Sequence, residues 1–378
     1  MAPSERVEYV PFINLSRVMS SAAESVRNPA SRVEKRIERR FILVAFFILT
    51  TKEILFCAVS KSFPYFCRVN LYNDFPSFLR RYFDGRVQKI SVHAGFTCPN
   101  RDGTLGVGGC TYCNNQTFNP AYCQPAHSVR QQVEEGVQFF AHKYPSMRYL
   151  AYFQAYTNTY GELEHLRTMY EEALSVPGVV GLVIGTRPDC MPDVLLDYLE
   201  DLSHRTFVLV EYGIESVNDA TLLRINRGHT FAASADTVRR TAARGILTGG
   251  HLILGLPGES EEEMLRQADV ISTLPLDIIK LHQLQLIRGT RMAREYAEQP
   301  DDFHLFDVDE YIDLVIRYVE RLRPDLVLER FVSSSPKELL IAPDWGLKNY
   351  EYVERLKKRM QERGSYQGKY YKKSGDLF

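Results

Sequence analysis

The sequence predicts an α/β protein built on one parallel β-sheet. Six segments with strand character alternate with helical segments from Leu71 onward, and such alternation requires crossover connections between parallel strands. The strand segments are apolar and rich in β-branched residues, as in a sheet that is covered on both faces. This periodicity is equally typical of an open doubly wound sheet and of a β/α barrel, so it does not distinguish between them.

Each predicted element follows from its local pattern of apolar residues. Alternating or continuous apolar runs predict six strands, at 86–95, 148–156, 179–185, 207–211, 246–254 and 278–285. Helical spacing of apolar residues predicts helices at 127–144, 163–176, 194–202, 261–273 and 309–322. The segment 326–332 suits an added strand beside the others.

Length, charge and cysteine content restrict the function classes. A chain of 378 residues can form one α/β domain of about 200–250 residues and a smaller appendage. The formal net charge of −1 provides no global positive field, so a nucleic-acid partner would need a local basic patch. Seven cysteines without disulfide-like spacing indicate a reducing, cytoplasmic location and cysteines that serve as ligands or pack in the core.

Residues 1–70 differ from the rest of the chain. They contain no glycine and no regular alternation of strands and helices. An apolar run at 41–51 follows a basic segment, but a membrane-spanning helix needs about twenty apolar residues, and no small-residue cleavage site is evident. We interpret 1–70 as an N-terminal extension that is poorly ordered or weakly associated with a membrane surface. The sequence gives no strong membrane signal.

Three cysteines lie in the stretch that follows the first predicted strand. Eleven residues separate Cys98 from Cys110, and two separate Cys110 from Cys113. Four glycines in this stretch permit tight turns, which would let three thiolates approach one centre. Thiolates are soft ligands that suit zinc, copper(I) or iron–sulfur clusters. A structural zinc site needs four ligands, and Cys123 or His93 could supply the fourth, so the spacing leaves zinc open.

Polar residues follow the predicted strands at the ends that share one edge of a parallel sheet. In a β/α barrel this edge carries the active site. The polar residues at these ends are Cys98, Gln154, Thr157, Asn158, Thr186, Arg187, Glu211, Glu215, His251, His282 and Gln285. We expect them to form a polar mouth around the thiolates. The glycine-containing turn at 255–263 lacks the Gly-Lys-Ser/Thr ending of a phosphate loop, and we interpret it as a close-packing turn.

The cysteine stretch resembles that of the radical S-adenosylmethionine superfamily, with an aromatic residue, Tyr112, directly before the last cysteine. The usual signature of that superfamily has three residues between the first two cysteines, and this chain has eleven. In this spacing it resembles the YhcC-like radical enzymes, which are related to the Elongator catalytic subunit. The further segments that carry the resemblance are 186–189, 210–216, 226–230, 254–259 and 289–290. The resemblance covers roughly residues 71–350.

The resemblance implies a fold and a pair of cofactors. The fold is a partial (β/α)6 TIM-type barrel at 71–290, followed by a C-terminal radical-SAM-associated region at 291–378. The cofactors are a 4Fe–4S cluster held by the three cysteines and S-adenosylmethionine on the open iron, which would generate a 5′-deoxyadenosyl radical. An electron donor such as flavodoxin or ferredoxin is implied as a partner.

The resemblance also implies which residues contact S-adenosylmethionine. Tyr112 would pack near the adenine, and Leu254 and Gly255 would lie against it. The end of the second strand, from Gln154 to Asn158, stands where many relatives carry a Gly-Gly-Glu grip on the methionine amine, a triplet that this chain lacks. The residues expected near the ribose or carboxylate are Glu215, Arg227 and His251.

The C-terminal tail interleaves basic and aromatic residues at 349–360 and 369–373. Such a pattern could contact RNA phosphates and stack bases, and it is also typical of a solvated helix. Our hypothesis is a radical S-adenosylmethionine enzyme whose first candidate substrate is tRNA or another RNA. The alternative is a zinc-binding protein with a structural cysteine loop and an RNA-binding tail. No acetyltransferase-like domain follows the barrel, so we do not transfer the full Elongator activity.

Overall fold

In the computed structural model, seven parallel strands form the main sheet of the described residues, which are 70–114, 120, 122–141 and 146–372. The strands are β1 (Val87–Val92), β2 (Arg148–Phe153), β3 (Val179–Thr186), β4 (Phe207–Glu215), β5 (Leu247–Leu254), β6 (Ile278–Gln283), β7 (Leu286–Ile287), β8 (Val327–Arg330) and β9 (Leu340–Ala342). Of these, β7 and β9 form a separate antiparallel pair. The order across the main sheet is β1-β2-β3-β4-β5-β6-β8, and the sheet curls into a partial barrel.

Helices connect the strands and cover the outer face of the sheet. They are α1 (Phe75–Leu79), α2 (Val129–Ala141), α3 (Leu163–Leu174), α4 (Asp193–Ser203), α5 (Asp219–Arg224), α6 (Phe231–Ala243), α7 (Glu261–Ile271), α8 (Arg291–Glu298), α9 (Val308–Arg321) and α10 (Asn349–Glu362), with short 3-10 turns at Pro188–Cys190 and Pro300–Asp302. None of the described helices is long and apolar enough to cross a membrane. The apolar run at 41–51 lies outside the described residues.

The central strand β4 shows why these segments form a sheet with two covered faces. Its first eight residues are all buried, because helices pack on one side and the barrel interior lies on the other. The covering helices are amphipathic and begin at defined caps. In α7, Ser260 and Glu263 form a reciprocal capping box, and Asp307 and Glu310 do the same for α9.

The predicted α/β fold with a partial barrel is confirmed. The segment at 326–332 does form an added strand, since β8 pairs in parallel with β6. One expectation about a strand end is wrong: β4 continues to Glu215, so Glu211 lies within the strand and not at its end. Gly213 permits this continuation because a Cβ there would come within 2.6 Å of Glu215 Oε1. The division between core and C-terminal region at 290 stays a prediction.

The basic and aromatic residues of the tail pack α10 against the body of the protein. Tyr352 is buried and stacks on Trp345, with ring centroids 6.1 Å apart. Arg359 forms ion pairs with Asp309 at 2.6 Å and with Asp313 at 2.8 Å. These side chains therefore hold the helix in place, and the pattern that suggested RNA contact has a structural role at these positions.

Replacing Gly181 by alanine should destabilise the fold. Gly181 in β3 lies opposite Phe207 in β4, and a Cβ at this position would lie 2.3 Å from the backbone carbonyl oxygen of Phe207. Because neighbouring strands cannot separate locally without losing hydrogen bonds, we expect Gly181→Ala to lower the free energy of unfolding by about 1–3 kcal/mol. Urea unfolding of the purified variant measures this loss.

Gly161→Ala provides the matched control. A Cβ at Gly161 would meet only side-chain atoms, the nearest at 3.7 Å, which is ordinary van der Waals contact. This variant should unfold within about 0.5 kcal/mol of the parent protein. Equal unfolding midpoints for both variants would contradict the assigned packing of β3 on β4.

Candidate cofactor-binding site

Backbone hydrogen bonds fold the cysteine loop that follows β1. The Cys98 carbonyl accepts from the N–H of Arg101 at 2.8 Å, and the Cys113 N–H donates to the Cys110 carbonyl at 3.1 Å. Gly109 has a φ of +82°, and a Cβ there would lie 2.7 Å from Arg101 Nε. Glycine is therefore required both for the backbone conformation and for the close approach to arginine.

All three cysteines line one cavity at the carboxyl ends of the strands, and none of them forms a disulfide. The cavity has two adjoining lobes. The first lobe contains the three cysteines, and the second extends to Lys280, His282 and Arg330. The residues that line both lobes are Tyr112, Cys113, Tyr152, Gln154, Glu215 and His251.

Most of the predicted cofactor-binding residues meet at this cavity. Those that line the first lobe are Tyr112, Gln154, Glu215, Arg227 and His251. Asn158 is instead buried beside it, and its amide donates to the carbonyls of Ala155 and Gly185 at 3.0 Å and 2.7 Å. Leu254 is fully buried in the core, and Gly255 packs against the Phe306 ring. Contacts of all these residues with a cofactor stay predictions.

A buried arginine lies directly beside the sulfur of Cys110. Arg227 Nη1 is 3.5 Å from Cys110 Sγ, and its Nη2 donates to the Gly213 carbonyl at 2.6 Å. Glu215 Oε1 lies 3.8 Å from the same Nη2. Burial alone would lower the pKa of Arg227, but Tyr112, Cys110 and Glu215 together raise this pKa well above its usual value. Arg227 therefore supplies a permanent positive charge beside the thiols.

The protonation of Cys113 depends on a nearby positive charge. Burial raises the pKa of the Cys113 thiol to about 11, and the neighbouring Cys110 adds to this rise. Arg101 and Arg227 act in the opposite direction. Thiolates bind metal centres, whereas thiols do not. Cys113 thus becomes a ligand only when a further cation, such as a metal centre, stabilises its thiolate.

Backbone strain is concentrated at the same rim. The non-glycine residues with positive φ in the described ranges are Tyr156 (62°), Glu215 (67°) and Asn226 (54°). Tyr156 and Glu215 line the first lobe, and Asn226 precedes Arg227 and donates through its amide to the Gly109 carbonyl at 2.9 Å. Left-handed backbone conformations are unfavourable for most residues with a Cβ, and such strain is typical of functional sites.

A buried cluster of charges forms the floor of the cavity. Glu211 receives Lys89 Nζ at 2.8 Å, Lys280 Nζ at 2.6 Å and His251 Nε2 at 3.0 Å. Lys89 Nζ also contacts Glu329 Oε1 at 2.6 Å. Burial alone would raise the pKa of Glu211, but Lys280, Lys89 and His251 outweigh it and hold this pKa well below its usual value. Glu211 is therefore ionised at neutral pH.

Sequence reasoning missed Lys89, Lys280 and Tyr152. Tyr152 lies under both lobes, with its hydroxyl 3.4 Å from Lys280 Nζ. Lys89 stands in a strand with other polar residues, Gln88 and Ser91, so nothing marked it. For Lys280 the available signal was its position between apolar residues in β6, because a lysine is almost never fully buried without a charged partner. That signal predicts a partner but does not identify it.

The two candidates for a fourth zinc ligand lie elsewhere. Cys123 Sγ contacts Gln132 Oε1 at 3.4 Å, and the His93 backbone is bound by the same glutamine side chain. Neither residue lines either lobe. Within the described residues, no group of three or more histidine, cysteine, aspartate or glutamate side chains is arranged to hold a metal ion.

A curled parallel sheet with three cysteines on one cavity at its carboxyl edge is the arrangement expected of a radical S-adenosylmethionine core. Residues 97–271 match the model of the Radical SAM superfamily, and residues 276–362 match that of the Radical_SAM C-terminal domain. The chain belongs to the radical S-adenosylmethionine superfamily, as the cysteine stretch predicted.

The most similar relatives include two bacterial proteins. Uncharacterized protein YtqA of Bacillus subtilis is 36% identical over 323 residues, which cover 83% of this chain and 97% of YtqA. Protein YhcC of Escherichia coli is 37% identical over 295 residues, which cover 78% of this chain and 94% of YhcC. The predicted similarity to YhcC-like proteins is confirmed.

A solved archaeal structure shares the fold. Methanocaldococcus infernus Elp3 with an N-terminal deletion aligns with a TM-score of 0.58 at 16% identity, covering 75% of this chain and 65% of that chain. At this level of identity the likeness shows the fold alone.

Replacing Lys280 by methionine should destabilise the protein most at neutral pH. The change leaves Glu211 buried with fewer cations, and breaking a buried ion pair in this way costs about 3–5 kcal/mol. Because the pKa of Glu211 is held low in the folded state, its stabilising contribution is present above the ordinary glutamate pKa and is lost as the pH falls through the lowered value. Urea unfolding at several pH values measures the difference, which should shrink in acid.

Two further variants control this measurement. Lys358→Met removes the same charge from a side chain that is 78% exposed, and it should change stability by less than about 0.5 kcal/mol. The double variant Lys280→Met/Glu211→Gln should lose less than the sum of the single changes, because each partner is unsatisfied only when the other remains. Strict additivity would contradict the buried pair.

Proposed function

We propose that this chain is a radical enzyme in which Cys98, Cys110 and Cys113 hold a 4Fe–4S cluster and the first lobe binds S-adenosylmethionine. The observation that carries the proposal is that the three cysteines of one loop line a single cavity at the carboxyl edge of the sheet. Three protein thiolates leave one iron of such a cluster open. When bound, the cluster and S-adenosylmethionine supply a 5′-deoxyadenosyl radical after one-electron reduction.

The electrostatics of the loop support three thiolates. Each thiolate adds a negative charge in a largely buried place, which is unfavourable without compensation. Arg227 lies beside Cys110 Sγ, and Arg101 lowers the pKa of Cys113. Asn100 Nδ2, 3.7 Å from Cys110 Sγ, directs a further dipole at that sulfur. The chain thus provides cations and dipoles where ligand charge would accumulate.

The lining of the first lobe suits the polar and aromatic parts of S-adenosylmethionine. Glu215 presents a carboxylate for an amine or for ribose hydroxyls, and Arg227 presents a cation for a carboxylate. Tyr112 is available to cover the adenine. Asn158 acts as a positioning residue, since its amide ties the turn after β2 to the end of β3 through Gly185.

The second lobe is where the substrate would meet the radical. It adjoins the first lobe at Gln154, Glu215 and His251, so a group held there is next to the cofactor. The paired charges beneath it hold Tyr152 and His251 through contacts with Lys280 and Glu211. The substrate class that we propose is an RNA, and the reductant a cytoplasmic flavodoxin or ferredoxin.

Replacing any one of Cys98, Cys110 or Cys113 by alanine should abolish cluster binding and S-adenosylmethionine cleavage. Two thiolates do not retain a cluster that needs three protein ligands. Anaerobically reconstituted protein should be brown, with about four iron and four sulfide per chain, and each variant should be colourless. Iron and sulfide analysis, visible absorption and 5′-deoxyadenosine formation with dithionite measure these properties.

Cys123→Ala is the matched control, because Cys123 is buried, as Cys98 and Cys110 are, but does not line the cavity. It should keep both the cluster and the cleavage activity. A cluster retained in one of the three loop variants would contradict the ligand assignment. Parent protein that binds one zinc ion, stays colourless and loses that zinc in Cys123→Ala would favour the structural zinc site.

A further inference from the structure

An open cleft borders the cysteine loop and shares residues with the first lobe of the cavity. Cys110, Cys113 and Tyr156 line both. We call it the basic cleft because it contains four arginines: Arg101, Arg288, Arg291 and Arg294. In the described part of the chain no aspartate or glutamate lines it.

Two local features bring these arginines together. Arg288 follows β7, and its carbonyl accepts from the Asn114 amide of the cysteine loop at 3.0 Å. Helix α8 is docked on the same loop, because the Met292 N–H donates to the Thr111 carbonyl at 2.9 Å. Arg291 and Arg294 are three residues apart in α8, so they lie on the same side of the helix.

Three of the four guanidinium groups at this cleft are largely available to a ligand, whereas Arg101 donates to the Cys113 carbonyl at 2.9 Å. Arg288 and Arg294 are exposed, and neither forms an ion pair with any described residue. Arg291 pairs with Glu295 at 2.8 Å but keeps 63% of its side chain exposed. The basic residues of the tail differ, because Arg359 is already engaged by aspartates on α9. A chain of net charge −1 needs a local positive patch to bind a polyanion. The basic cleft is such a patch.

We propose that the basic cleft binds the phosphate backbone of a single-stranded RNA segment and directs a base of that strand toward the cavity. Arginine forks match phosphate oxygens, and Tyr156, whose ring centroid lies 5.9 Å from Arg101 Cζ, stands at the boundary where the cleft meets the cavity. A concave cleft that continues into a cavity admits an extended strand, whereas the convex surface of a globular protein cannot enter it. The reaction at that base rests on the proposed function, whereas the binding of the RNA strand to the basic cleft does not.

The double variant Arg288→Gln/Arg294→Gln tests this inference. The probe is a fluorescein-labelled, unstructured oligoribonucleotide, and anisotropy titrations of the full chain at several salt concentrations give the affinity and its salt slope. Removing two phosphate contacts should reduce the slope of log K against log salt by about 1.4 and weaken binding at low salt by about tenfold or more. Thermal unfolding checks that the variant is folded, and Arg294→Gln alone should give about half the change in slope.

Arg80→Gln/Arg81→Gln is the matched control. Both arginines are exposed and directly follow α1, which packs near the amino end of β4 through Phe207, opposite the cleft. This variant loses the same charge and should retain the parent slope. Any of three results would overturn the inference. They are parent protein that does not bind the probe, cleft variants that keep the parent slope, and an acidic flavodoxin that binds at the cleft while RNA does not. RNA binding by protein that does not cleave S-adenosylmethionine would instead contradict the proposed reaction and leave the inference about the basic cleft standing.

Discussion

The arrangement of the barrel depends on a set of charges that meet inside it. Lys89 and Glu329 belong to β1 and β8, the two edge strands of the sheet, and their side chains are in contact at 2.6 Å. Glu211 from the central strand binds both Lys89 and Lys280. Because β1 and β8 share no backbone ladder, these side chains connect the two edges across the interior. The curled sheet therefore holds these ions in pairs across its interior.

This floor determines what the rim above it can do. It keeps His251 and Tyr152 fixed beneath both lobes, so the cavity has a firm base at the depth where a cofactor and a substrate would meet. The cysteine loop closes the cavity from the opposite side and brings Arg101 to the sulfurs. Arg101 of this loop and the cations of α8 belong to one loop-and-helix surface, joined through the contact between Thr111 and Met292.

The sequence allowed the fold and the centre of the site to be predicted because both depend on local patterns. Strand and helix periods predicted the sheet, and the cysteine spacing located the thiols. Contacts that depend on tertiary distance were not accessible. Lys280 and Glu211 are 69 residues apart, and nothing local marks them as partners. Arg288 and Arg294 acquire meaning only when α8 is docked on the cysteine loop. Leu254 and Gly255 were placed by family position, and their side-chain surroundings are core residues.

Three residues at the rim have a left-handed backbone conformation, which lowers stability at the place where the site needs their side chains. For Tyr156 and Glu215 such a conformation costs about 1–2 kcal/mol relative to an ordinary backbone, whereas glycine would adopt it freely. Tyr156, Glu215 and Asn226 nevertheless carry the side chains that face the cavity and brace the loop. On backbone conformation alone, glycine would suit Tyr156 and Glu215 better. The rim is therefore less durable than its backbone would allow, and its side-chain contacts stand in place of that durability.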